Sequence, residues 1–245
     1  MKTRILLGCA AVWLASGSMS IAQPAAQFAK ANQQYAAGDF KAAIESYQEL
    51  VRSGQDTPNL FYNLGNAHVR QKDFGRAILN YERALALEPR HPEAQANLRI
   101  ARDEARALEL IPSRSERSFA FANVNQYAVA GATAFWVGIF SIAAWSFNRR
   151  RSALALSILS LTILGVTVFA AYDLGHGKNG AGLAVVTAES VEARLATADV
   201  ASRVLSLPAG SEIHILSHRG DWIYAALPNN LRGWMPESSA EPVRM

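Results

Sequence analysis

The chain has 245 residues, half of them hydrophobic and 18% charged, which is too apolar for a disordered polyelectrolyte and long enough for more than one domain. The net charge of +4 collects at the ends of apolar runs, with Lys2 and Arg4 near the start and three arginines in 148–151, while residues 23–126 carry a near balance of 13 positive and 12 negative side chains. No basic face with interleaved aromatics occurs, which excludes nucleic-acid binding, and the lone Cys9 excludes a disulfide framework, a cysteine-ligated metal and a cysteine nucleophile in the processed chain.

Residues 1–22 have the three parts of a secretory signal peptide: Lys2 and Arg4, then the apolar run Ile5 to Leu14, then Ser20-Ile21-Ala22 with small residues at −3 and −1. Cleavage is expected after Ala22. A lipoprotein cut before Cys9 would leave an apolar stretch of only four residues and is rejected.

Residues 23–112 repeat with an offset of 34: Pro24 and Pro58, Asn32 and Asn66, Asp39-Phe40 and Asp73-Phe74, Ala43-Ile44 and Ala77-Ile78, Tyr47 and Tyr81. Pro92 falls one period later. A helical period of 34 resembles tetratricopeptide repeats, and residues 58–91 have the family's pattern at Phe61, Leu64-Gly65, Ala77, Tyr81, Ala84 and Pro89. Gly65 and Ala77 are expected where two antiparallel helices touch, with Lys72-Asp73 at the turn. The first copy departs from the pattern at Gln27 and Gln55. From Pro92 to Leu110 a capping helix is expected, with Ala94, Leu98, Ala101, Ala105 and Leu108 on the inner face and Arg99, Arg102, Asp103 and Arg106 on the water side.

The resemblance implies a concave groove for an extended peptide, lined here by Asn32, Tyr62, Asn63, Asn66, Val69, Arg70 and Asn97. Asparagine can bond both backbone groups of a peptide; as solvated helix residues the same side chains would bind nothing. Phe28 and Glu93 stand where some members place lysines that grip a terminal carboxylate, so the resemblance does not extend to that clamp.

After the linker 113–126, residues 127–147 and 152–172 are two uncharged runs of 21 residues. As helices each is about 31 Å long, the thickness of a bilayer core. Loop 148–151, Asn148-Arg149-Arg150-Arg151, is expected on the cytoplasmic side. With the signal peptide, this predicts a two-pass inner-membrane protein with both soluble parts in the periplasm.

Linker 173–182 contains G-x-G-x-x-G at Gly175, Gly177 and Gly180. It lacks the preceding strand of a dinucleotide site and reads as a flexible connection. In 183–245 the period becomes two, predicting five short strands and a small barrel, with Asn229-Asn230 at a hairpin turn. Val191 to Arg194, Leu207-Pro208-Ala209-Gly210, Asp221-Trp222 and Gly233-Trp234 resemble the bacterial SH3 domain, although Leu195-Ala196 replaces that family's usual Gly-Pro. Trp222, Tyr224 and Trp234 are the ligand surface that resemblance implies; core packing is the other reading of the two tryptophans. His214 and His218 would lie about 13 Å apart along a strand, too far for one metal ion. No catalytic motif occurs, so neither an enzyme nor a cofactor is expected.

The expected fold class is thus a multi-domain membrane protein: all-α tetratricopeptide repeats, a two-helix transmembrane hairpin and an all-β SH3-like barrel. This order resembles the BatE family of bacterial aerotolerance (Bat) operons. The resemblance implies a non-enzymatic scaffold whose partners are von Willebrand factor A domain membrane proteins and a MoxR-type ATPase system. A peptidoglycan-binding envelope protein is the alternative.

Overall fold

The computed structural model describes residues 24–148, 150–178 and 180–244. The signal peptide expected at 1–22, with Cys9 and the Ala22 cleavage site, lies outside the described residues, as does Arg149 of the arginine loop.

Five antiparallel helices come first: α1 (24–36), α2 (Phe40–Arg52), α3 (Pro58–Arg70), α4 (Phe74–Leu87) and α5 (Pro92–Ala105). The starts of α1, α3 and α5 keep the 34-residue spacing, as do those of α2 and α4. The turns repeat as well. Asp39 and Asp73 cap α2 and α4, accepting from the N–H groups of Ala42 and Arg76. The residue before each cap is left-handed, Gly38 at φ 83° and Lys72 at φ 60°. Gly65 is where the two helices of the second repeat meet: a Cβ there would lie 2.7 Å from the Tyr81 ring. Ala77 is fully buried beside it.

A short helix, α6 (Arg114–Phe119), follows, closed by a capping box between Ser113 and Glu116. It leads to α7 (Val124–Asn148) and α8 (Arg151–His176), two helices long and apolar enough to cross a membrane. Small residues line the seam between them: Gly131, Ala134, Gly138 and Ser141 on α7, Ser157, Ser160, Thr167 and Ala170 on α8. A Cβ on Gly131 would come within 2.9 Å of Thr167 Oγ1. The large apolar side chains, among them Trp136, Phe140, Leu159 and Val168, point outward.

The C-terminal part is an antiparallel sheet of seven strands: β1 (Leu183–Val186), β2 (Ser190–Arg194), β3 (Arg203–Pro208), β4 (Glu212–Arg219), β5 (Trp222–Ala226), β6 (Arg232–Pro236) and β7 (Ala240–Pro242). Their order is β3-β2-β6-β5-β4-β1-β7. Alternation predicts five of them; β3 and β7 carry no clear two-residue period. The pairing is open, ending at β3 and β7, rather than closing as the barrel expectation required. Asn229 and Asn230, at φ 64° and 59°, turn the chain between β5 and β6, both in the left-handed region that asparagine tolerates.

The sheet docks directly on the helical repeats. β1 is buried along its whole length because its two faces meet different cores. Ala184 and Val186 pack with Leu207, Ile213, Ile223 and Met235 inside the sheet, while Leu183 and Val185 join Ile78, Leu98 and Ala101 of α4 and α5. The described glycines between α8 and β1 make close contacts. Gly180 N–H donates to Gly177 O at 2.8 Å, and a Cβ on Gly182 would lie 2.5 Å from the His214 ring.

Candidate functional site

The predicted groove residues lie along the first helices of the repeats, and four of them form a repeating hydrogen-bond unit. Asn32 Oδ1 accepts from the Tyr47 hydroxyl (2.6 Å) and from Asn63 Nδ2 (3.1 Å). One period on, Asn66 Oδ1 accepts from the Tyr81 hydroxyl (2.7 Å) and from Asn97 Nδ2 (2.9 Å). Asn97 Nδ2 also reaches the Tyr62 hydroxyl at 3.4 Å. Asn32 and Asn66 thus each tie their own repeat together and join it to the next. All four asparagines are half-buried. Arg70, at the far end of α3, stacks over the Phe40 ring 4.9 Å from its centroid. Val69 packs partly into the repeat core.

At the opposite end of α3 the groove opens into a cavity of about 510 Å³. Tyr62 and Asn63 line it with Phe28, Glu88, His91 and Glu93. Glu88 and His91 come from the short connection between α4 and α5, which was read only for its pattern proline. Spacing within one repeat does not reveal that this connection closes a cavity against α1.

The outer face of the sheet gathers the three predicted aromatic residues. Trp222 and Tyr224 on β5 and Trp234 on β6 alternate with buried Ile223, Ala225, Gly233 and Met235. They are half-exposed, not core. Tyr224 is the cross-strand partner of Trp234, with ring centroids 5.0 Å apart, and the Arg219 guanidinium sits 5.5 Å from the Trp234 ring centre. His214 is half-buried on β4, where burial holds its imidazole below the usual range, and His218 is exposed beside Glu237 at 3.3 Å.

A buried ionic cluster lies between the repeats and the sheet. Arg102 of α5 was expected in water but bonds Glu82 of α4 and Glu212 of β4, and meets Glu109 at 3.2 Å. Lys178, after α8, reaches Glu212 at 2.9 Å and Glu109 at 3.6 Å. Glu212 also accepts from Leu110 N–H at 2.9 Å and has no exposed surface. One point therefore joins repeats, membrane-length hairpin and sheet. Sequence periodicity missed it because a two-residue alternation put Glu212 on the water side.

The helical arrangement defines a protein-interaction array. The Tetratricopeptide repeat family model matches residues 28–92 and again 62–109, so helices α1–α5 are tetratricopeptide repeats. Protein O-mannosyl-transferase TMTC3 of Homo sapiens is 30% identical to this chain over 82 residues, a third (33%) of this chain and 9% of that protein. The chain therefore matches only a small part of that relative's length, and nothing about the relative's activity passes with it.

Proposed function

We propose that this chain is a non-enzymatic scaffold of the bacterial inner membrane, with the repeats and the sheet in the periplasm, serving a complex of the aerotolerance type. One observation carries the reading: a repeat groove and a second soluble unit are locked together on a hairpin of two membrane-length apolar helices. The small-residue seam of the hairpin supports the membrane assignment, since helices associate in lipid by close backbone approach. The signal peptide and arginine loop support the orientation. Domain order supports an SH3-like identity for residues 183–245. By resemblance to BatE, the partners are von Willebrand factor A domain membrane proteins and the MoxR-type ATPase system.

The groove is tested with a photo-crosslinking amino acid at Asn59, an exposed α3 residue on the rim of the cavity, in native membranes. A defined membrane-protein adduct is expected there and none from Arg52, which is exposed on α2. No adduct at 59, or the same adduct at both positions, would remove the groove from the interaction. The orientation is tested with alkaline phosphatase fused after residue 120 or after residue 245. Both fusions are expected to be active, and an inactive, well-expressed fusion at either position overturns the topology.

A second reading, a peptidoglycan-binding envelope protein, is favoured by the outer aromatic face of Trp222, Tyr224 and Trp234 with Arg219. Sacculus sedimentation of the detergent-solubilised chain tests it: sedimentation lost in Trp234→Ala would make the wall its ligand.

A further inference from the structure

We propose that the cavity at the α3–α5 end of the groove is a pocket for a lysine or arginine side chain of the bound peptide. This rests on the reading of the repeats as a peptide groove and adds the chemistry of what the groove selects.

Glu88 and Glu93 bring two carboxylates to the cavity, and no lysine or arginine is among the described residues that line it. Among the described residues no lysine or arginine is paired with either carboxylate. Glu88 is the C-cap of α4, where unpaired helix carbonyls already concentrate negative charge, so helix electrostatics disfavours an acid there. Glu93 meets His91 Nδ1 at 3.1 Å, and the same nitrogen lies 3.3 Å from the N–H of Ala94, so the imidazole is the nearest polar neighbour of this carboxylate. Asn63 uses an amide N–H on Asn32, and its carbonyl oxygen is left for a ligand.

The apolar part of the lining suits the stem of such a side chain. Phe28 and Tyr62 supply two aromatic rings from α1 and α3, and the His91 ring lies against Tyr62 with centroids 5.1 Å apart. A cation on an alkyl stem can lay its methylenes and charge against these rings and direct its N–H groups to the carboxylates. An acidic side chain would be repelled, and an apolar one would desolvate two carboxylates without pairing them. The volume of about 510 Å³ accommodates one long side chain with its flanking backbone.

The test pans a random decapeptide display library on the detergent-solubilised full chain, with Asn59→Trp as a variant whose groove mouth is blocked. Peptides that bind the wild type and fail on Asn59→Trp are expected to share a lysine or arginine at one fixed position. The best of them, synthesised with a fluorescein label, should bind the Glu88→Gln/Glu93→Gln variant about tenfold more weakly by anisotropy. Replacing its basic residue by norleucine should weaken binding by a similar factor, and that replacement should matter little on the double variant. Both glutamates are exposed, so the variant should melt with the wild type. Groove-dependent peptides without a fixed basic residue, or with affinity unchanged in the double variant, overturn the cation pocket while the groove stands. If no peptide responds to Asn59→Trp, the groove reading fails and this proposal with it.

Discussion

Arg102→Leu is expected to lower the melting temperature of the full chain sharply, at a cost of about 3–5 kcal/mol, because it removes one side of a buried charge cluster. Arg102 bonds Glu82 and Glu212 and meets Glu109 at 3.2 Å, and Glu212 has no exposed surface. Without the guanidinium, Glu212 keeps Lys178 at 2.9 Å and Leu110 N–H, while Glu82 loses its cation. Arg99→Leu, an exposed change three residues earlier on the same helix, should fall within about 0.5 kcal/mol of the wild type. The double change Arg102→Leu/Glu82→Leu should recover much of the loss, since apolar replacement of both partners removes the stranded charge. Differential scanning calorimetry in detergent is the measurement, and wild-type melting of Arg102→Leu would contradict the cluster.

The same cluster has a pH signature. Burial, with Glu212 nearby and despite Arg102, pushes the Glu82 carboxyl up from its ordinary 4.5 to about 7. The folded state therefore holds that proton to a higher pH than the unfolded state does. The stabilising contribution is complete below about 4.5 and is lost as pH rises through about 7. Glu82→Gln should flatten that part of the stability profile, leaving the contributions of other titrating groups unchanged.

Tyr81→Ala should cost about 3–5 kcal/mol, as large-to-small changes of buried aromatic residues do. Tyr81 is 1% exposed, fills the space that Gly65 leaves, and donates its hydroxyl to Asn66 at 2.7 Å. Tyr81→Phe keeps the ring and removes only the hydrogen bond, so it should cost about 0.5–1.5 kcal/mol. The gap between the two variants measures ring packing against the asparagine unit. Asn66→Ala should be worse than Tyr81→Phe, because it leaves the buried hydroxyl without its acceptor and also releases Asn97. Thermal melts of the four proteins in one detergent check the order. Equal melting for Tyr81→Phe and Tyr81→Ala would contradict the helix contact at Gly65.

The repeat array was legible from residues alone because its determinants are local and periodic. Asp39 and Asp73 cap their helices whatever lies beyond, and a 34-residue period at Asn32/Asn66 and Tyr47/Tyr81 puts equivalent side chains in equivalent places. The two apolar helices were legible for the same reason, since length and absence of charge are properties of a segment. Outward aromatics at Trp222, Tyr224 and Trp234 followed from strand alternation, once the partner strands showed which side was core.

Tertiary structure alone decided what happens where these units meet. Glu212 alternates like a water-facing strand residue and Arg102 lies on the polar side of its helix, yet the two pair across the domains, with Glu212 buried and Arg102 partly covered. β1 reads as one short apolar strand, but whether both of its faces are covered depends on α4 lying against it. The cavity of Phe28, Glu88 and Glu93 likewise needs α1, a connecting loop and α5 in one place. Periodicity reports which side of an element avoids water, and only the packing of elements separated by many residues determines what replaces the water on the other side.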